Sequence, residues 1–237
     1  MNIAIVGAGR AGASFAIALR RVGHDVTVVH HDDLASFGDP ALIILCVPDD
    51  AIEGVAAAIV PSPQRVVAHV AGSRNLDVLA AHPRVGSLHP LMALPTDAGA
   101  ERLVGATYCV AGDELVRTVV RSLGGRVITL RDEQRPIYHA AAVVASNHLV
   151  ALMGQVRSLA DSIGLSLEDF LPLARQSLVD VARFGPDAAL TGPASRGDMA
   201  TIDAHLAAIP ESERSTYVAL ANAAFELSER RRSQSLS

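Results

Sequence analysis

Asn2-Ile3-Ala4-Ile5-Val6-Gly7-Ala8-Gly9-Arg10-Ala11-Gly12 is the stretch whose reading decides the fold. Residues 2–6 are a short, β-branched, apolar run that reads as a buried strand, and the run stops on a glycine. Gly7, Gly9 and Gly12 then fall at the spacing G-x-G-x-x-G, ahead of a helix-period segment from Ala11 to Val22. As a bare pattern this spacing is weak. Between a strand and a helix that open a β-α-β unit, it is the fingerprint of a turn that cradles a dinucleotide. Gly7 allows the tight turn, Gly9 lets a pyrophosphate approach the backbone, and Gly12 permits close packing of helix on strand. Ala8, Arg10 and Ala11 complete the turn, whose helix end offers free N–H groups and a positive dipole to phosphates.

Outward from this turn, Asp25 to Val29, Ala41 to Val47, Arg65 to Val70, Arg84 to Leu88, Ala106 to Val110 and Arg126 to Leu130 read as further strands. Helix-period segments at Asp50 to Ile59, Leu76 to Ala81 and Asp113 to Leu123 separate several of them. This alternation predicts an α/β domain with a doubly wound parallel sheet covered on both faces. From Asp132 the chain turns Ala/Leu-rich and loses strand alternation. The pattern predicts one long helix over Pro136 to Ile163 and a second, capped by Ser166, to Phe184. After a loop from Leu190 to Asp198, helices are expected near Met199 to Ala208 and Glu211 to Leu227. The expected organisation is a nucleotide-binding domain at 1–132, an all-helical domain at 133–228 and a disordered tail at 229–237.

Half of the 237 residues are apolar and 19% are charged, which excludes a disordered or collagen-like chain. A net charge of −5 argues against a nucleic-acid binder working through a basic face. Two cysteines, Cys46 and Cys109, cannot build a disulfide scaffold and read as buried thiols of a reducing compartment. No signal peptide is expected at the N-terminus. The apolar stretch Ala140 to Met153 is short for a membrane span and carries Ser146, Asn147 and His148. A cytoplasmic protein acting without a membrane is the expectation. All twenty basic residues are arginine, so Schiff-base and lysine acid–base chemistry have no residue to use.

Cofactor choice turns on the end of the second strand, where an NAD site places a carboxylate and an NADP site places donors for a 2′-phosphate. His30 and His31 stand there, followed by Asp32 and Asp33, and the imidazoles favour NADP with NAD as the alternative. In an open parallel sheet, ligands bind beyond the carboxyl ends of the strands. Val47 and Pro48, His69 and Gly72, and His89 all arrive at such ends. His69 and His89 read either as site walls or as structural histidines holding loops. His24, His82 and His205 read as surface residues, and no spacing suggests a metal site.

The helix opening the second domain carries His139, with Ser146 and Asn147 within about 80° of it at α-helical spacing. An imidazole titrates near neutrality, so His139 is the preferred proton donor, while Ser146 and Asn147 would orient a substrate. The alternative is a packed polar patch. In the loop Thr191 to Asp198, Arg196 could clamp a carboxylate bidentately, with Thr191 and Ser195 as further donors, or could pair with Asp198 or Asp203.

GAGRAG, LCVPDDAI, HVAGS, GSLHPL, YHAAAVVASNHLVAL and TGPASRGD together resemble one protein type over nearly the whole chain, to about residue 227. It is the Rossmann-like protein with a C-terminal helical domain of unknown function, a group labelled NADP-dependent oxidoreductases. That group is similar to pyrroline-5-carboxylate reductases, deazaflavin-dependent NADP reductases and the 6-phosphogluconate and 3-hydroxyacid dehydrogenases. The resemblance implies an enzyme whose helical domain closes the cleft and forms a homodimer. Two departures stand out: no lysine matches the catalytic lysine of the hydroxyacid enzymes, and His31 occupies the place of the usual NADP-binding arginine. The resemblance implies a reductase and leaves the substrate open; the Arg196 clamp fits NADP(H)-dependent reduction of a small carboxylate-bearing, ketopantoate-like oxo acid at the cleft between the domains. The alternatives are reduction of a cyclic imine of the pyrroline type, or a non-catalytic nucleotide-binding sensor or scaffold.

Overall fold

A computed structural model describes residues 1–30, 33–34 and 38–234. Among the described residues seven strands form one sheet: β1 (Asn2–Val6), β2 (Asp25–Val29), β3 (Leu42–Leu45), β4 (Val66–His69), β5 (Val85–Pro90), β6 (Thr107–Gly112) and β7 (Arg126–Ile128). Their order across the sheet is β2-β1-β3-β4-β5-β6-β7. Along β1 and β3 every residue from Ile3 to Val6 and from Leu42 to Leu45 is buried, because helices cover both faces. Alternation survives inside these apolar runs. Ile3, Ile5, Leu42 and Ile44 join a cluster with Phe15 and Leu19 of α1 (Arg10–Arg21). Ala4, Val6, Ile43 and Leu45 join a second cluster with Ile52 and Val55 of α2 (Ile52–Ala57).

The sheet departs from the expected all-parallel pattern at one place: β6 runs antiparallel to β5, with Pro90 opposite Tyr108 and Gly86 opposite Gly112. The reason is the connection. Its helix, α3 (Gly99–Leu103), has five residues and packs beside α1. At 1.5 Å per residue it covers about 8 Å, against about 20 Å for a six-residue strand, so β6 starts where β5 ended. α4 (Glu114–Ser122) then returns the chain, and β7 pairs parallel with β6. Asp113 caps α4 by accepting from the Leu115 N–H at 2.9 Å, and Arg84 grips the same carboxylate at 2.9 and 3.1 Å.

The long helix expected after Pro136 is divided. α5 (Arg135–Val143) and α6 (Leu149–Asp161) flank a π-helical turn at Val144–His148. By length and composition, the run Asp132–Asp161 is long and apolar enough to cross a membrane, the one such run among the described residues. Beyond it lie α7 (Leu167–Phe184), α8 (Pro186–Ala189), α9 (Pro193–Arg196), α10 (Met199–Ala208) and α11 (Glu211–Gln234). Ser166 caps α7 as expected, and the structure adds Asp169 to it in a capping box.

Two expectations about limits change. The chain divides into compact units at 1–146 and 147–237, whereas composition placed the boundary at 132. Arg135 and Tyr138 explain the shift, since both bond to β5 and tie α5 to the sheet. The tail is helical through Gln234 rather than disordered from 229. Ser228 Oγ and Arg232 Nη2 donate to the Ser195 carbonyl at 3.3 and 3.4 Å and hold this end of α11 to α9. His82, expected at the surface, is buried and donates to the Ala56 carbonyl at 2.9 Å.

Candidate active site on the sheet unit

β1 lies between β2 and β3, so the strand order reverses at its carboxyl end and opens a crevice there. The glycine turn occupies that end. Gly7 has φ +104°, and a Cβ on it would sit 2.5 Å from the Cys46 carbonyl oxygen. Gly12 is buried where a side chain would run into the Gly7 carbonyl oxygen. Gly9 instead faces open space: a Cβ on it would meet no atom within 4 Å. α1 starts without a side-chain cap and without an acidic residue in its first turn. Its first N–H groups are therefore left for an external acceptor, as a pyrophosphate requires. Ala8 and Arg10 are exposed beside Gly9, Ala11 is half-buried, and Val47 and Pro48 follow β3 close by. His30 is exposed at the end of β2, and His31 lies outside the described residues.

Along the same edge, the ends of β4 and β5 meet one face of α5. Arg135, Tyr138 and His139 share that face because they stand three and four residues apart. His89 Nδ1 and the Tyr138 hydroxyl lie 2.8 Å apart, with the rings edge-on at 5.6 Å between centroids. His139 approaches His89 from the other side, 6.2 Å between centroids. Gly72 makes this approach possible. A Cβ on it would stand 2.9 Å from both His139 Nδ1 and His89 Nε2. His139 Nδ1 is itself buried with no partner among the described residues.

Behind this group, His69 is fully buried, and its Nε2 donates to the Asn75 carbonyl at 3.3 Å, which holds the β4 loop. That bond fixes the proton on Nε2 and leaves Nδ1 a buried acceptor without a partner. Burial pushes the His69 ring down to about 4. Burial also pushes His89 down to about 4, with His139 and Arg135 adding to the effect and Asp49 opposing it. Burial raises the Tyr138 hydroxyl to about 12. At neutral pH the site thus holds two uncharged imidazoles and a protonated phenol. Ser73 Oγ donates to Asp49 Oδ2 at 2.6 Å above these strand ends.

Of the sequence candidates, His69, Gly72 and His139 gather in one cluster, and the Gly7–Gly12 turn lies on the same sheet edge. Ser146 is exposed in the π-turn, where α-helical spacing no longer describes the chain. Asn147 and Arg196 are exposed residues of the second unit. Asp198 caps α10, accepting from the Thr201 N–H at 3.1 Å and its hydroxyl at 2.7 Å. The sequence reading missed Tyr138 and Arg135. Their spacing to His139 on a helix was the available signal, but His89 and Ser87, their partners, lie almost fifty residues earlier.

Comparisons with known proteins agree with this architecture. A solved candidate NADP oxidoreductase from Bacteroides fragilis superposes with TM-score 0.81 at 22% identity, covering 95% of this chain and 98% of that one. A reductive aminase from Aspergillus terreus, solved with NADPH and ethyl levulinate, gives 0.68 at 20% identity over 95% and 93%. A 1-pyrroline-5-carboxylate reductase from Streptococcus pyogenes gives 0.64 at 14% identity over 95% and 98%. These likenesses establish a shared fold. No curated protein matches the sequence. The pyridine nucleotide-disulphide oxidoreductase family model matches residues 2–40, the β1-turn-α1-β2 segment. The model for a domain of unknown function, DUF2520, matches residues 106–224, half of the chain, and the protein belongs to that family.

Proposed function

We propose that this protein is an NADP(H)-dependent oxidoreductase that reduces a small carbonyl or imine compound. The observation that carries the reading is the donor cluster of His139, Tyr138 and His89 on the sheet edge that also holds the glycine turn. Gly7 to Gly12 bind the pyrophosphate through backbone N–H groups, and His30 and His31 receive the 2′-phosphate. Val47, Pro48 and Gly72 line the path between them and the donor cluster. When bound, the nicotinamide supplies the hydride. His139 donates the proton to the oxygen or nitrogen that receives negative charge. Tyr138, held by His89, stands ready as a second donor.

A carboxylate-bearing oxo acid is the proposed substrate class, with Arg196 as the carboxylate clamp and Ser146 and Asn147 as orienting groups. Imine reduction is the second reading. The names of the aminase and pyrroline reductase that share this fold favour it. We assign the exposed apolar side chains of the helical unit, among them Val150, Leu173 and Phe184, to the surface of a homodimer. The net charge of −5 leaves nucleic acid out of the scheme.

The first experiment is a titration with NADPH and NADH, following nicotinamide fluorescence; the chain has no tryptophan to interfere. Micromolar binding, tighter for NADPH, is expected, and binding of neither cofactor overturns the proposal. Turnover is then measured on a panel of 2-oxo acids and cyclic imines. His139→Ala should abolish reduction while cofactor affinity persists; undiminished turnover removes His139 from the mechanism. Cofactor binding with no reduction of either class marks the protein as a nucleotide sensor or scaffold.

A further inference from the structure

Arg135 is the largest fully buried side chain among the described residues, 1% exposed. Nothing in its packing calls for a cation. A leucine or methionine fills a protein interior more cheaply, because a buried charge must be compensated by partners. Here the compensation is partial. Nη2 donates to Ser87 Oγ at 3.0 Å and Nε donates to Asp132 Oδ1 at 3.2 Å, while Nη1 is buried with no partner. Asp132, the one counter-ion in contact among the described residues, is 56% exposed, so water weakens its share of the pairing. A guanidinium does not lose its proton in proteins, so a partly compensated positive charge stands permanently beneath the site.

Its location gives that charge a use. Ser87 is fully buried and lies beside His69 in the β4–β5 register. Tyr138 follows Arg135 by three residues and His139 by four, on one helix face. We propose that Arg135 is a positioning residue of this site, a fixed charge pinned to Ser87 and Asp132 that orients α5 over β5 and sets the electrical environment of the His89–Tyr138 pair. The inference rests on the reductase reading for its purpose, and its test does not depend on that reading.

The groups facing His89 are Tyr138, His139 and Arg135 from α5, His69 from β4, Cys109 opposite it on β6, and Asp49 beyond β3. Burial is the leading reason the ring stays neutral, and the positive charge of Arg135 acts in the same direction. The same charge favours the ionised form of Tyr138 against the larger effect of burial. A neutral His89 keeps an acceptor for the Tyr138 hydroxyl, and a nearby cation makes the phenol a better proton donor. Both effects weaken together when the charge is removed.

The test is a pH titration of the free protein, with no cofactor and no substrate, carrying carbon-13-labelled histidine and followed by nuclear magnetic resonance. His89→Gln assigns the signal. In the wild type His89 should remain neutral until about pH 4. Arg135→Gln should raise its midpoint by about half a unit or more, and Arg135→Lys, which keeps the charge, should stay close to the wild type. A purely structural arginine gives a different result: Lys and Gln disturb the signal alike, or neither moves the midpoint. Either outcome overturns the proposal. If Arg135→Gln fails to fold, Arg135→Met takes its place, since an apolar side chain of similar length fills the interior without the charge. The midpoint should then move in the same direction, and an unmoved midpoint overturns the proposal. Because the free protein is measured, a failed search for reductase activity leaves this result standing, and the converse holds as well.

Discussion

The two units of this chain bury their apolar residues to different degrees. The sheet unit encloses two apolar clusters, one on each face, containing fully buried side chains of Phe15, Ile44, Leu45 and Tyr108. In the helical unit, the buried apolar residues among those described are Ala160, Ala194 and Ile202, while Val150, Ile163, Leu173 and Phe184 are each more than half exposed. The sheet unit satisfies its own hydrophobic pattern. The helical unit has the composition of a core without the enclosure, which is the pattern of a surface made to be covered.

The comparison breaks first if the sheet unit is not where stability resides. Ile44 is fully buried at the middle of β3, between Ile5 of β1 and Ala68 of β4. Ile44→Ala should destabilise the protein by about 2–5 kcal/mol, read from urea unfolding at pH 7. A loss below about 1 kcal/mol would show that the sheet relaxes around the cavity and that the contrast between the units is overstated.

A second effect is specific to the sheet unit and depends on pH. His69 and His89 are pushed from 6.5 to about 4 when folded, so the unfolded chain takes up protons that the folded one refuses. Stability is therefore full above pH 6.5 and falls as the pH drops towards 4. At pH 5 each ring costs about 2 kcal/mol by linkage. Urea midpoints at pH 7 and pH 5 should differ accordingly, and His69→Gln should remove about half of the difference. A flat profile between these pH values would mean that both rings protonate without opposition in the folded state.

The part of this site made by neighbours in sequence was legible beforehand. The glycine turn depends on local backbone geometry, so spacing between an apolar run and a helix-period segment marked Gly7, Gly9 and Gly12, and the buried strands declared themselves by continuous apolar runs. Ser166 announced a helix start for the same reason. What escaped was made by distance. The His89–Tyr138 bond joins residues 49 apart, and the Arg135–Ser87 bond joins residues 48 apart. No local pattern encodes either. The reversal of β6 was hidden because alternation of elements is silent about whether a connecting helix is long enough to bring the chain back. The helical tail was hidden because its anchor is the Ser195 carbonyl, a backbone atom with no signature in composition.

A smaller effect tests how locally the sheet unit is held together. Asp113 both caps α4 and receives Arg84, and that guanidinium holds its carboxyl below the usual carboxylate range. Asp113→Ala should cost about 1 kcal/mol at pH 7. The contribution is present above the ordinary carboxylate range and is lost as pH falls through the lowered folded value. The variant should therefore converge with the wild type in acid. An equal gap at pH 7 and pH 3 would assign the loss to packing instead of charge.

The smallest expected change in folding stability bears most directly on the helical unit. Leu173 is 68% exposed on α7, so replacing it costs the single chain little, within about 0.5 kcal/mol. In a homodimer the same residue is removed from water, and Leu173→Glu must bury a charge or part the subunits. Helical content by circular dichroism should be unchanged, while sedimentation should show the variant as monomer at concentrations where the wild type is dimeric. A variant that associates as the wild type does removes this face of α7 from the interface. A wild type that is monomeric and partitions onto lipid vesicles gives the apolar run Asp132–Asp161 a different cover. In either case the contrast between the units persists, and the measurement decides what the helical unit is built to meet.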